Sequence, residues 1–393
     1  REAFCAALVL ACSNTAFYFS RHLFPYDASI ALTLAALLVA AGSEGKVRSV
    51  AAGLLAGAAF HVYNAYWYLL PLVVLIRFFR ESRNCQNRGD ACVTLASEVV
   101  AVALPYSLGL WFFGPAFLQS TVMYGRSVVQ GLYREGWSLP GEYLWHSEGF
   151  FGLVAILLPI TFWLRSRIRK IQPVPGRVVV LSATVLGIWL LWTVMSTSAH
   201  LFVLNARTVK PIVPLLCILS GWGLASWTQV NSRAGWIGGA LLVTLSLFNI
   251  VPHYWRVFPR EFEATALGQV GNPKRTATVT GSYFGAAPSP VTNPDYALVN
   301  AHYLYPVRSP AEPPAGETVL SAAHPLEYPP YQYDGFTPRQ REILRTTDIR
   351  MRLVHLSKPS LVPDLPPANL QSVNEDWPDG FDSEAGNARM ATP

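Results

Sequence analysis

Charge is scarce in this chain. Only 14% of its residues are charged, against 51% hydrophobic, well below the quarter or so usual for a soluble protein. That excludes one ordinary soluble domain. Cysteine is scarce too, five in 393 residues. Cys5, Cys12 and Cys217 lie in apolar runs and read as small core residues. Cys85 and Cys92 share a polar stretch at a spacing typical of no zinc site, with no second pair and no nearby His, so no metal centre is expected. Beyond Cys217 there is no cysteine at all, and the C-terminal part must fold without disulfides. P-loop, nucleophile-elbow and zinc-protease signatures are missing. So is a cleavable signal: the sequence begins at Arg1, lacks an initiator Met and enters apolar residues 3–11 almost at once. It reads as an N-terminally truncated fragment.

What is present divides near Tyr254. Before it apolar runs dominate; after it they vanish and prolines crowd in. The mean hydropathy of +0.28 therefore averages a membrane part with a polar part. Residues 3–19, 28–41, 49–63, 66–79, 93–113, 149–164, 178–196, 211–227 and 234–251 are apolar enough to be spans. The second and fourth are short of the ~20 residues a bilayer requires and read equally as buried or re-entrant helices. The expected fold is mainly α, a polytopic transmembrane helical bundle of about nine helices over residues 1–254. A small C-terminal α/β extracytoplasmic domain over 255–358 and a disordered tail over 359–393 are expected to follow.

Basic residues orient this map. Alternate loops hold Lys46 and Arg48, then Arg77, Arg80, Arg83 and Arg88, then Arg165, Arg167, Arg169, Lys170 and Arg177, and finally Arg233. The opposite loops hold only Arg21, Arg126, Arg134, Arg207 and Lys210. By the positive-inside rule the first set is cytoplasmic, which puts the C-terminal part outside. The formal charge of +6 is then a topology signal, and no nucleic-acid partner is expected. In the C-terminal part, residues 276–281, 296–300, 318–321 and 350–356 read as strands. Residues 262–267 read as a helical run, and 338–346 as a helix with Thr337 at its N-cap and Pro338 in its first turn. Beyond Pro359 the Pro, Asp, Asn and Ser content predicts disorder.

Chemistry is sought in the outward loops. Arg21 and Asp27 flank a short connection that also contains His22 and Tyr26, and ionisable groups at such a place mark function. The bland readings are a loop-closing salt bridge, or an Asp that caps the next helix. His200, Arg207 and Lys210 precede a helix that begins with Pro211. The two cations suit a lipid phosphate, Arg as a fork and Lys as a point charge; the bland reading is snorkelling to the headgroups. A mixed aromatic and charged stretch, Tyr133 to Trp137 and Glu142 to His146, reads either as a lid or as an interfacial belt. His61 is expected to be a hydrogen-bonded core residue near Asn64, and Glu98 to reach water from the cytoplasmic end. The aromatic and proline segment 328–338 reads as a rigid loop on its own domain, with glycan stacking as the sharper alternative.

Three of these segments resemble GT-C membrane glycosyltransferases, nearest to the family-39, protein-mannosyltransferase and aminoarabinose-transferase-like group. They are Tyr18-Phe19-Ser20-Arg21-His22-Leu23-Phe24-Pro25-Tyr26-Asp27, the run Ala51-Ala52-Gly53-Leu54-Leu55-Ala56-Gly57-Ala58-Ala59-Phe60, and Asn205-Ala206-Arg207-Thr208-Val209-Lys210-Pro211-Ile212-Val213-Pro214, where Thr208 replaces the usual aromatic. The resemblance implies transfer of a sugar from a polyprenyl-phosphate-linked donor on the outer face of a bacterial inner or plasma membrane. The acceptor would be a glycan, a lipid or a protein. It implies a cavity acid at Asp27 supported by Arg21, and donor-phosphate contacts at Arg207, Lys210 and Arg134. His22, Tyr26, Asn64 and His200 would line the cavity. The family's general base precedes the point where this sequence starts, so the fragment is expected to lack it. A divalent cation is optional in such chemistry, because the leaving group is already a phosphate ester. The competing reading is a non-catalytic membrane scaffold, or a transporter, with a periplasmic domain. Inverted repeats and midplane charges expected of a transporter are not seen in the sequence.

Overall fold

In this computed structural model, residues 1–20, 25–42, 45–84, 88–117, 119, 136–169, 173–201, 204–278, 293–301, 312–333, 336 and 338–358 are described. They fall into two compact units that divide between Asn249 and Ile250. The predicted disordered tail, and the Thr337 cap, lie outside the described residues.

The first unit is helical. Its helices are α1 (Glu2–Ala11), α2 (Asn14–Ser20), α3 (Tyr26–Ala40), α4 (Lys46–Val62), α5 (Leu70–Asn84) and α6 (Arg88–Phe113), then α7 (Leu139–Arg169), α8 (Gly176–Trp192), α9 (Ile212–Val230) and the part of α10 (Ser232–Tyr254) up to Asn249. Five helical stretches among the described residues are long and apolar enough to cross a membrane: Cys92–Phe113, Leu139–Arg169, Gly176–Ser198, Ala206–Val230 and Ser232–Tyr254. A sixth is obtained if α1 and α2 form one span. Large apolar side chains stay exposed along them, among them Trp111, Phe112, Leu186 and Phe248, as lipid-facing residues do. The chain is an integral membrane protein.

Where sequence reading placed one straight span at residues 3–19, the chain bends by 66° between α1 and α2. The cause is the polar triplet Ser13-Asn14-Thr15 inside an apolar run: its backbone groups are claimed from outside the helix, as described below. The Ala206–Val230 stretch is 89% buried, against 17–28% for the other four, so α9 is the axis of the unit. It packs on α1 and α7, and glycine permits the close approach. A Cβ on Gly221 would stand 2.3 Å from Ala6 N, and one on Gly223 2.6 Å from Pro159 N. The run carrying Gly53 and Gly57 does the same on α4, with ideal Cβ positions 2.4 Å from Glu98 O and 2.6 Å from Val102 O of α6. This is small-residue packing of the kind that brings membrane helices together.

Prolines inside these helices remove amide donors, and in lipid the freed carbonyls must find others. Pro159 in α7 frees Ala155 O, and Ser220 Oγ on α9 lies 2.6 Å from it. That hydroxyl also lies 2.8 Å from Leu216 O, and with one proton it serves one carbonyl at a time. Ser220→Ala is expected to lower stability by about 1 kcal/mol, within the range for interhelical hydrogen bonds in membranes. Thermal unfolding in detergent would check it; an unchanged midpoint would mean the carbonyl finds another donor.

Two charged residues differ from expectation. Glu98 was expected to reach water, yet it is fully buried, because α4 and α6 close over it through the glycines above. Arg77, counted as a cytoplasmic topology signal, is also fully buried; it donates to Gly45 O at 3.1 Å and to Ala40 O at 3.5 Å. Ala40 ends α3, so there the guanidinium serves a carbonyl that a helix end leaves open, while Gly45 O, at the start of α4, also accepts from Ser49 N.

The second unit holds α11 (Pro259–Val270), β1 (Thr276–Thr278), β2 (Tyr296–Val299), β3 (Gly316–Ala322), α12 (Pro338–Thr346) and β4 (Met351–Leu356). The strands form one sheet in the order β1-β2-β4-β3. β1 and β2 are parallel, and β4 runs antiparallel to β2 and β3. Phe262, Ala266 and Val270 of α11 pack with Leu298, Met351 and Leu353, while Ala297, Val299, Val354 and Leu356 cluster separately. This period-two division is what alternating strand side chains produce. Tyr328, Tyr333 and Phe336 are buried, which takes those rings away from glycan stacking and leaves the rigid-loop reading.

Candidate functional site

The segment Asn205 to Pro211 is held at both ends. Asn205 Oδ1 accepts from Thr208 N at 3.1 Å, while Thr208 Oγ1 accepts from Asn205 N at 2.9 Å. This is a reciprocal cap on the single turn Ala206–Val209, and it gives Thr208 a role that an aromatic residue could not fill. Pro211 then frees the carbonyl of Arg207, four residues back. Tyr66 Oη donates to it at 3.0 Å, and Tyr68 Oη donates to Thr208 O at 2.6 Å. Both tyrosines are buried, in the 3₁₀ segment Asn64–Leu69.

That scaffold aims Lys210. Its side chain is 4% exposed and pairs with Asp27, whose side chain is 59% exposed. The ammonium also lies 4.5 Å from the ring centre of Phe19 and 5.7 Å from that of Tyr26, close enough for cation–π attraction. Snorkelling is therefore not what Lys210 does. Nor does Asp27 cap α3: it sits in the first turn, where no side chain caps the helix, and its carboxylate is turned to Lys210. Around the pair runs a chain of edge-to-face rings, Phe19–Tyr26, Tyr26–Tyr63 and Tyr63–Tyr66, with centroids 5.7, 4.7 and 4.7 Å apart. Such contacts fix ring orientations.

Of the other expected site residues, Arg207 and Asn64 are half-buried, and Tyr26 is buried beside the pair. His200 is exposed with a left-handed φ of 53°. Arg21, His22 and Arg134 lie outside the described residues. His61, expected in the core, is instead exposed and stacks on Tyr106 and Phe117 at 6.1 and 5.6 Å; the end of α4 presents it outward. No group of three or more His, Cys, Asp or Glu suited to a metal is found among the described residues.

Sequence reasoning missed Glu148. This carboxylate is buried in the first unit and closes the break between α1 and α2. It accepts from Ser13 Oγ at 2.7 Å, Asn14 N at 2.9 Å and Thr15 N at 2.9 Å. The next amides of α2, Ala16 N and Phe17 N, are taken by Ser13 Oγ and Ser13 O. Tyr143 Oη meets Thr15 Oγ1 at 3.2 Å, Asn14 Nδ2 donates to Ser147 O at 2.7 Å, and Asn249 Nδ2 donates to Glu148 O at 2.6 Å. Gly149, with φ 55° and ψ −139°, makes the kink that turns Glu148 inward, a conformation glycine alone adopts readily. The usable signal was a carboxylate beside a glycine at the head of one apolar run, and a polar triplet breaking another.

These features define an integral membrane protein in which a buried carboxylate closes a broken helix and an enclosed ammonium pairs with an exposed carboxylate in an aromatic surround. No protein-family model, curated protein or solved structure matches the chain.

Proposed function

We propose that this protein is a GT-C membrane glycosyltransferase that moves a sugar from a polyprenyl-phosphate-linked donor to an acceptor on the outer face. One observation carries the reading: Asp27 and Lys210, from two segments that resemble the family's motifs, form an ion pair across 183 residues. A carboxylate and a cation at one place are what the chemistry requires. The acid orients the acceptor hydroxyl for a base that the resemblance places upstream, and the cation stabilises charge on the departing phosphate. Tyr26 flanks both groups, and Tyr66 and Tyr68 hold the backbone of the Lys210 segment in place. Arg207 is a second cation on that turn. The C-terminal unit belongs outside the membrane on this reading.

One feature speaks for a transporter, the broken helix α1–α2, since half-helix N-termini bind substrate anions in many carriers. Here Glu148 and Ser13 already occupy the first four amides of α2, which leaves them no donors for a substrate.

The test is sugar transfer from radiolabelled polyprenyl-phosphate sugars in membranes containing the full-length protein, wild type against Asp27→Asn. Asp27→Asn is expected to lower kcat at least about 100-fold, the contribution of a positioned acid or base. Transfer unchanged by the substitution would remove Asp27 from the chemistry. No transfer from any donor by a folded wild-type protein would favour the scaffold.

A further inference from the structure

The two members of the ion pair are unequal. Lys210 is nearly enclosed, whereas more than half of the Asp27 side chain is exposed. Lys210 is also fixed from behind. The reciprocal cap at Asn205 and Thr208, the break at Pro211 and the hydroxyls of Tyr66 and Tyr68 determine where its backbone lies. The backbone of Asp27 is fixed as well, by buried Tyr26 beside it and by Ser29 Oγ, which donates to Ala59 O at 2.8 Å, so what is left to move is its exposed carboxylate. A buried ammonium needs an anion beside it, because an enclosed charge without a partner is costly. Exchange of that anion can only proceed by movement of the exposed member.

The geometry points to Asp27 as a latch: its carboxylate stands in for a phosphate oxyanion on Lys210, and binding of a phosphate monoester or diester displaces it. The carboxylate would then swing free of the ammonium, unpaired and able to accept a hydrogen bond from an acceptor hydroxyl. Phosphate binding and release of the acid would be one event, which ties the acid's availability to an occupied donor site. Phe19 and Tyr26 would keep their contacts with the ammonium in both states. The identity of the anion as a lipid phosphate rests on the function proposed above; the competition between two anions for one cation does not.

The experiment is isothermal titration of the full-length protein in detergent with farnesyl phosphate, and separately with inorganic phosphate. If Asp27 holds the site closed for nine-tenths of the time or more, removing it tightens apparent binding by about tenfold or more. Asp27→Asn is therefore expected to bind farnesyl phosphate at least about tenfold more tightly than wild type. Lys210→Met, and the double variant with Asp27→Asn, should both lose that binding. Competition by inorganic phosphate would assign the site to free phosphate as well; its failure to compete would assign it to the lipid-linked form. Binding by Asp27→Asn no tighter than wild type would overturn the latch. Should that variant not fold, the wild-type protein carries a second test. Farnesyl phosphate should speed carbodiimide coupling of the Asp27 carboxylate, and an unchanged rate would overturn the proposal. A protein that shows this competition but transfers no sugar keeps the latch and loses the transferase. One that transfers sugar without the competition does the reverse.

Discussion

Glu148→Ala is expected to destabilise the helical unit by at least about 3 kcal/mol, since hydrogen bonds to a charged group contribute roughly 1.5–3 kcal/mol each. Three donors converge on that carboxylate, and two of them are backbone amides of α2. Alanine would leave those amides buried without an acceptor, and water is scarce at the site because Ser13, Asn14 and Thr15 are all buried. The helix dipole adds to the loss, because a carboxylate at a helix N-terminus is favourable there. Glu148→Gln separates charge from packing. It keeps the shape and one acceptor oxygen but offers an amide group to donors that need an acceptor, so an intermediate loss is expected. Thermal unfolding of the three proteins in detergent decides the matter. A glutamine variant as stable as wild type would show that shape, not charge, is what the break between α1 and α2 requires.

Gly221→Ala is expected to cost about 3 kcal/mol, the upper part of the usual range for overpacking, and Gly221→Val more. The added methyl would stand 2.3 Å from Ala6 N and 2.5 Å from Ala6 Cα. Those are backbone atoms, so α1 itself must retreat from α9. Since α9 is the buried axis, the displacement would spread to α7, where Gly223 faces Pro159 at similar closeness. Gly187 on α8 supplies the control, for a Cβ there meets nothing within 4 Å. Gly187→Ala should be neutral or stabilising by up to about 1 kcal/mol, because it removes only glycine's helix penalty. Equal effects at the two glycines would mean the close approach of α1 and α9 does not exist.

Local features were the legible ones. The strand readings at 296–300 and 350–356 lie within a residue of β2 and β4, and the helix at 338–346 coincides with α12. Alternation and the residues that stop it are encoded locally. Asp27 and the Arg207–Lys210 turn were expected to share one outward cavity from motif order, yet the ion pair itself was not foreseen, because neither segment states which side chain stands opposite across 183 positions. Glu148 was missed for the same reason. Its partners are at positions 13–15, and the sequence marks each side only as a polar flaw in an apolar run. Glu98 and His61 went wrong in opposite senses. Distance from a helix end predicts exposure only when neighbouring helices are known, and the glycines of α4 that seal Glu98 act through α6.

The donor that serves Pro159 has a consequence for biogenesis. Helices enter a membrane in the order in which they are made. α7 emerges with Ala155 O lacking its amide, and the Ser220 hydroxyl that serves it lies 65 residues later in the chain, so this hydrogen bond can form only after α9 has been made. Pro211 is in the reverse position. Tyr66 is synthesised first, and the turn ahead of α9 meets its donor on insertion. The two prolines thus differ in the order their donors are made: the one for Arg207 O precedes it in the chain, and the one for Ala155 O follows.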